Sequence, residues 1–223
     1  MASEVLDWDS AYRQDGQFQG SLPWDIGEPQ PELAALIASG AVRSDVLDAG
    51  CGHAELSLSL AADGYHVVGL DISPTAIAAA NRAAQARNLR NAAFAQADIT
   101  TLTGYDGRFN TVIDSTLFHS IPVEHRPGYL RAVHRAAAPG ATFIVLVFAA
   151  GAFPAELETK PNQVTEAELR HAVSAHWTVD EIRPAFIHAN MPSGPGAPFE
   201  LPAHDRDDKG RTKMPAFLLL AHK

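Results

Sequence analysis

Residues 46–55, Val-Leu-Asp-Ala-Gly-Cys-Gly-His-Ala-Glu, followed by Val67-Val68-Gly69-Leu70-Asp71, constrain the fold more than any other part of the chain. An apolar strand runs into two glycines one residue apart, and a helix start follows. A second apolar strand then ends in a carboxylate nineteen residues beyond Gly52. Glycines in such a turn let backbone approach a ligand, and an acid at that distance accepts hydrogen bonds from ribose hydroxyls. The spacing therefore predicts an α/β unit that cradles an adenosine.

Helix and strand signals alternate around this unit. Leu33, Leu36 and Ile37 recur at helical spacing over 31–39, where Gly40 stops the helix. Strands are expected over 46–48, 65–70, 92–95, 111–114 and 142–148. The intervening helices are expected over 54–63, from Pro74 to about Asn88, and over 124–138, the last closed by Pro139-Gly140. Ser73-Pro74 supplies an N-cap followed by proline at the first helical position. Thr165-Glu166-Ala167-Glu168 has the capping-box form for a helix to about Ala175. Two β signals, 179–189 and 216–221, end the chain. Between them 191–215 is rich in Pro and Gly and reads as a flexible loop. Repeated βα units imply one domain spanning 1–223, a mostly parallel sheet flanked by helices and extended by a C-terminal antiparallel hairpin. Ligands of such sheets sit beyond the carboxyl ends of the strands.

Charge narrows the partners. The chain of 223 residues carries a net charge of −9, which disfavours a phosphate backbone. Its densest basic run, Lys209 to Lys213, follows Asp205, Asp207 and Asp208, so the local sum is near neutral. Cys51 is the single cysteine, which excludes an intrachain disulfide and a Cys-rich zinc site. The histidines form no clear i, i+4 metal pair, so no metal is expected. The longest apolar run, 141–150, is too short to span a bilayer and suits a buried central strand. The N-terminus shows neither a basic nor an apolar leader segment, and a cytoplasmic location is expected.

The choice of adenosine cofactor turns on two acids. Glu55 stands where a dinucleotide fingerprint has its third glycine, and a glutamate there is a poor seat for a pyrophosphate. Asp48, two residues before the first glycine, suits a cationic ligand such as an α-ammonium or a sulfonium. No phosphate-loop motif is present.

With those residues in view, Asp48-x-Gly50-x-Gly52 after an apolar strand resembles motif I of the class I S-adenosylmethionine-dependent methyltransferases. The resemblance implies a Rossmann-like fold with a seven-stranded sheet, S-adenosyl-L-methionine as cofactor and S-adenosyl-L-homocysteine as product. It makes Asp71, with Ile72 beside it, the ribose site, and Asp98 and Ile99 the adenine site. Asp114 and Ser115 fall beside the reactive methyl, and Cys51 lies within the cofactor turn without a nucleophilic role. Ala54 departs from the third glycine of many members.

A narrower resemblance covers the N-terminal 25 residues or so. Trp8-x-x-x-Tyr12, Pro23-Trp24-Asp25-Ile26-Gly27 and Pro29-Gln30-Pro31 resemble the cap of the thiopurine, halide and thiol methyltransferase group. Actinobacterial enzymes that methylate heterocyclic toxins and quinolones are similar there too. This implies that residues 1–30 cap the active site, with Trp24 over the methyl donor, since a cation is attracted to an aromatic face. Tyr12, Phe118, His119 and His188 are candidate acceptor contacts, and His119 a candidate general base of near-neutral pKa. The expected activity is methyl transfer to an O, N or S nucleophile of a small aromatic heterocycle or phenol, by a monomer or weak homodimer. Halide or thiol methylation is the alternative. An NAD-dependent oxidoreductase and a non-catalytic cofactor-binding domain are remoter ones.

Overall fold

The computed structural model describes residues 7–15, 22–157, 160–191 and 204–223. Seven strands form one sheet: β1 (Val46–Ala49), β2 (Val67–Asp71), β3 (Ala92–Gln96), β4 (Phe109–Ser115), β5 (Ala137–Phe148), β6 (Thr178–Ala189) and β7 (Thr212–His222). Their spatial order is β3-β2-β1-β4-β5-β7-β6. Strands β1 to β5 run parallel, and β7 inserts antiparallel between β5 and β6. The helices are α1 (Trp8–Tyr12), α2 (Pro31–Ala38), α3 (Glu55–Ala62), α4 (Pro74–Ala86), α5 (Arg126–Ala136) and α6 (Glu166–Ser174). The expected Rossmann-like architecture and its C-terminal hairpin are present.

Period-two alternation along β5 builds both core layers. Phe143, Val145 and Val147 pack with Tyr129 and Val133 of α5 and Leu169 and Val173 of α6. Ile144, Leu146 and Phe148 face the other way, toward Leu33 of α2 and Leu56 and Leu60 of α3. A strand buried on both faces reads as the continuous apolar run seen in the sequence.

The largest departures from the expected boundaries lie at the starts of β5 and β7. Helix α5 ends at Ala136, and Pro139-Gly140 lies inside β5 as an irregularity: the register passes from Phe109↔Ala137 to Thr111↔Thr142. Gly140, at φ +71°, turns the chain there, and its N–H and the Ala141 carbonyl both pair with Lys223. The Pro-Gly pair reads as a helix stop because it supplies the same turn here. Strand β7 begins at Thr212, four residues before the expected start, so the expected loop is shortened. Of that loop, 192–203 lie outside the described residues. No helix among the described residues is long and apolar enough to cross a membrane.

Candidate active site

The sheet order reverses at β1, whose neighbours are β2 and β4, so their carboxyl ends open one crevice. At its floor the N–H groups of Gly50 and Cys51 both donate to the Leu70 carbonyl, at 2.8 and 3.0 Å. Gly52 donates its N–H to Asp71 Oδ2 at 2.9 Å, and Ser73 donates to Oδ1 at 2.9 Å. Burial pushes the Asp71 carboxyl up, against the pull of these hydrogen bonds. Gly50 and Gly52 have φ of +72° and +53°, the left-handed region that favours glycine. A β-carbon on Gly50 would lie 2.8 Å from Leu117 Cδ1, and one on Gly52 would collide with the Tyr12 hydroxyl. The following Ala54 shares the left-handed conformation at φ +67° and caps α3.

Asp48 is 1% exposed. Ser57 Oγ donates to its Oδ2 at 2.7 Å, while Oδ1 is buried with no hydrogen-bond partner among the described residues. Burial pushes its carboxyl up to about 6. An orphaned buried carboxylate oxygen beside a glycine turn is matched by a cationic ligand group. Beyond Asp71, the apolar side chain of Ile72 is 53% exposed. Asp98 is exposed, with Oδ1 taken by the Thr100 N–H and hydroxyl, and Ile99 is buried beneath it. An unpartnered buried carboxylate oxygen on Asp48, the oriented carboxylate of Asp71 and the exposed apolar Ile72 are donor and surface types that fit the cationic, ribose-bearing S-adenosylmethionine.

Glu55 needs a correction. Its carboxylate pairs with Arg87, 3.2 Å away at the end of α4. Its charge is thus engaged elsewhere, and the argument against a pyrophosphate rests on Asp48 rather than on Glu55.

The N-terminal segment closes over the glycine turn. Asp9 of α1 caps α4: its Oδ1 accepts from Ser73 Oγ at 2.6 Å and from the Thr75 N–H at 3.0 Å. The i, i+4 spacing of Trp8 and Tyr12 puts both on one helical face. Trp8 packs edge-on against Trp24 at 5.8 Å, and Tyr12 edge-on against His53 at 5.0 Å. The Trp24 indole bonds the Tyr12 hydroxyl, and burial pushes that phenol far above its usual range. His53 is held by Asp25 at 2.7 Å. The segment after Leu22 is laced to β6: Asn190 donates to the Pro23 and Asp25 carbonyls, and the Gln30 amide bonds both the N–H and the carbonyl of His188.

At the end of β4, Asp114 is fully buried and wholly engaged. Oδ1 accepts from the N–H groups of Leu117 and Phe118, and Oδ2 from the Tyr129 hydroxyl at 2.7 Å. Burial pushes its carboxyl up to about 7. These bonds shape the turn after Ser115, where Thr116 takes φ +73°. A β-branched residue in that region is a true outlier costing about 1–2 kcal/mol. The turn packs Leu117 against Gly50 and leads into the short 3-10 turn Phe118–Ser120 that carries His119. Phe118 is fully buried under the Arg126 guanidinium, 4.5 Å from its ring, and against Tyr129. The expectation that Phe118 touches the acceptor is therefore corrected: it supports the wall from behind.

His119 is 5% exposed and lies on Phe148 with centroids 4.4 Å apart. Its Nδ1 accepts from the Phe148 N–H at 3.4 Å. Burial first, then the nearby Arg126 charge, push the imidazole down to about 3. The expected near-neutral pKa is overturned. His188 sits at the end of β6 with Nδ1 bonded to Asp207 at 2.7 Å. Arg211 joins Asp207 to Glu28, and Lys209 pairs with Glu28. Burial would raise the Asp207 carboxyl, but hydrogen bonds from His188 and Arg211 outweigh it and hold it low. Within the stretch expected as a flexible loop, Asp207 braces Arg211, and Arg211 and Lys209 tie the hairpin to Glu28 of the N-terminal segment.

Sequence reasoning missed Asp9, Gln30, Asp25 with His53, Thr116 and Tyr129. Asp9 stands three residues before Tyr12, and its capping role depends on a contact with α4 that no local pattern announces. Thr116 carries no signal at all, because its conformation is imposed by Asp114.

Comparison with known proteins bears on this geometry. A methyltransferase-domain family model matches residues 42–190. A 2-heptyl-1-hydroxyquinolin-4(1H)-one methyltransferase of Mycobacteroides abscessus is 49% identical over 97% of this chain and 96% of its own. A structure solved in work on conversion of a disulfide bond into a thioacetal group during echinomycin biosynthesis is 34% identical. It superposes with a TM-score of 0.83 over 99% of this chain and 92% of that one. A 1,6-didemethyltoxoflavin-N1-methyltransferase of Burkholderia thailandensis, solved with bound 1,6-didemethyltoxoflavin and S-adenosylhomocysteine, shares the fold. It is 19% identical, with a TM-score of 0.67 over 97% of this chain and 85% of that one. The chain belongs to the methyltransferase-domain family and is an S-adenosylmethionine-dependent methyltransferase.

Proposed function

We propose that this enzyme methylates an aromatic heterocycle of the hydroxyquinolone kind. The observation that carries the acceptor class is the aromatic wall at the end of β5. Phe148 lies against His119, and Phe153 meets Phe148 edge-on at 4.9 Å. A flat, apolar acceptor gains stacking and burial there. The 49% identity to a 2-heptyl-1-hydroxyquinolin-4(1H)-one methyltransferase supports the same class.

When bound, S-adenosylmethionine supplies a methyl group on a positively charged sulfur. In this reading Asp71 accepts from the ribose hydroxyls, using the lone pairs that Gly52 and Ser73 leave free. Gly50 and Gly52 admit the methionine part, and Asp48 meets its ammonium. Ile72, Asp98 and Ile99 frame the adenine, while Ser115 borders the methyl. Asp114 acts at one remove, by holding the turn. Trp24, Tyr12 and Trp8 exclude water over the donor, so that acceleration comes from alignment and desolvation. Cytoplasmic location is part of this proposal.

The test is a methyl-transfer screen over 1-hydroxyquinolin-4-ones, phenols, thiols and iodide, read by release of S-adenosylhomocysteine. The hydroxyquinolones should turn over fastest. Preference for thiols or iodide by tenfold or more would overturn the assignment.

A further inference from the structure

Resting on that methyl-transfer reading, we infer that His119 serves as a neutral Nε2–H hydrogen-bond donor to an acceptor that arrives already ionised, and not as the base that ionises it. Three contacts immobilise the residue. The Phe148 N–H points at Nδ1, the ring lies on Phe148, and the His119 carbonyl accepts from the Asn162 N–H at 3.0 Å. Phe148 is itself fixed in the sheet and accepts from the Val164 N–H through its carbonyl. A nitrogen that faces an N–H donor carries its lone pair, so the single proton of a neutral imidazole sits on Nε2.

That tautomer has no base to offer the acceptor. Nε2 already holds its proton, and a second proton would have to enter at Nδ1, against the Phe148 N–H. No carboxylate among the described residues bonds His119 to steady an imidazolium, as the acid of a catalytic dyad does. The charged group near it is Arg126 of α5, which opposes protonation. Two other titratable groups expected near the acceptor are committed too. Asp114 is held by Leu117, Phe118 and Tyr129, and His188 by Asp207.

The site therefore selects nucleophiles ionised near neutral pH: N-hydroxy heterocycles, vinylogous acids and acidic phenols or thiols. The anion's lone pair forms a bond to the methyl carbon while the carbon–sulfur pair returns to sulfur. The negative charge of the acceptor and the positive charge of the sulfur cancel, and no proton moves. A hydrogen bond from Nε2–H to the anion orients it without consuming the attacking pair.

Nitrogen-15 NMR of histidine-labelled protein reads the tautomer directly, with His119 assigned by its loss in His119→Phe. The signals should report a neutral imidazole protonated on Nε2 from pH 8 to pH 5. A proton on Nδ1, or an imidazolium forming near pH 6.5, would overturn the inference. Rate against pH for two acceptors of different acidity should break at each acceptor's own pKa; one break shared by both contradicts it. His119→Phe keeps the ring on Phe148 and should raise KM by roughly ten- to a hundredfold with a smaller change in kcat. His119→Gln, which keeps an N–H donor, should recover most of that loss. Equal losses in both variants, falling on kcat, would contradict a donor role. If no acceptor in the panel is methylated, the proposed function fails, while the NMR result still decides His119.

Discussion

Gly52 gives its backbone N–H to Oδ2 of Asp71 at 2.9 Å, so the acid at the end of β2 holds the turn at the end of β1. One carboxylate thereby builds the cradle and, in the proposed role, reads the ribose. Because Ser73 holds the other oxygen, the group is oriented before any ligand arrives. Pre-orientation of this kind lowers the entropic cost of binding.

Gly52→Ala tests the cradle from the other side. The new methyl would strain a backbone at φ +53° and strike the Tyr12 hydroxyl. The variant should lose about 1–2 kcal/mol of stability by denaturant titration. Displacement of Tyr12 should also shift the fluorescence of Trp24, its hydrogen-bond partner.

Asp9→Ala removes the bonds that dock α1 onto α4 while leaving Ser73 to cap Ala76. The chain should stay folded, with a small loss of stability in denaturant titration. Amides of residues 8–12 should exchange faster with deuterium, whereas those of β1 and β5 stay protected.

Asp48 links pH to both stability and binding. Its folded pKa of about 6 lies above the ordinary aspartate value of 3.8. A raised acid favours the protonated fold, so its penalty is absent below the unfolded pKa, grows as pH rises, and is complete above pH 6. Asp48→Asn should therefore stabilise the unliganded protein at pH 8 by about 1–2 kcal/mol, once the unpartnered amide is counted. Cofactor affinity of the wild type should fall about tenfold per unit below pH 6, where the ammonium must displace a proton. Calorimetry in buffers of different ionisation enthalpy, at pH 6, reads the released proton.

His119 works in the opposite sense. Its folded pKa of about 3 lies below the ordinary histidine value of 6.5, so protonation favours the unfolded chain between those values. Stability is lost as pH falls below 6.5. Between pH 7.5 and pH 5 the wild type should lose about 2 kcal/mol more than His119→Phe in urea titrations.

The sheet was legible because its signals are local. Apolar runs, the glycine turn and Ser73-Pro74 each act within a few residues, and the four motifs arrive in order. Pro139-Gly140 misled because a turn residue has the same chemistry whether it ends a helix or kinks a strand; pairing with Lys223 decided the matter. Spacing marks the acids of the candidate site, but not the state of each carboxyl. Asp48, Asp71 and Asp114 look alike in sequence, yet burial and donors make one orphaned, one shared and one saturated. In sequence His119 looks like an ordinary imidazole, because the Phe148 N–H that meets it comes from 29 residues away and no local pattern shows its burial.

The most direct test of the account is a calorimetric titration of S-adenosylhomocysteine into the wild type and into Asp71→Ala. The account predicts one site per chain in the wild type and, since the variant loses both ribose contacts and the Gly52 clamp, an affinity lower by about a hundredfold or more. No binding to the wild type, or unchanged affinity in Asp71→Ala with an intact fold, would contradict it.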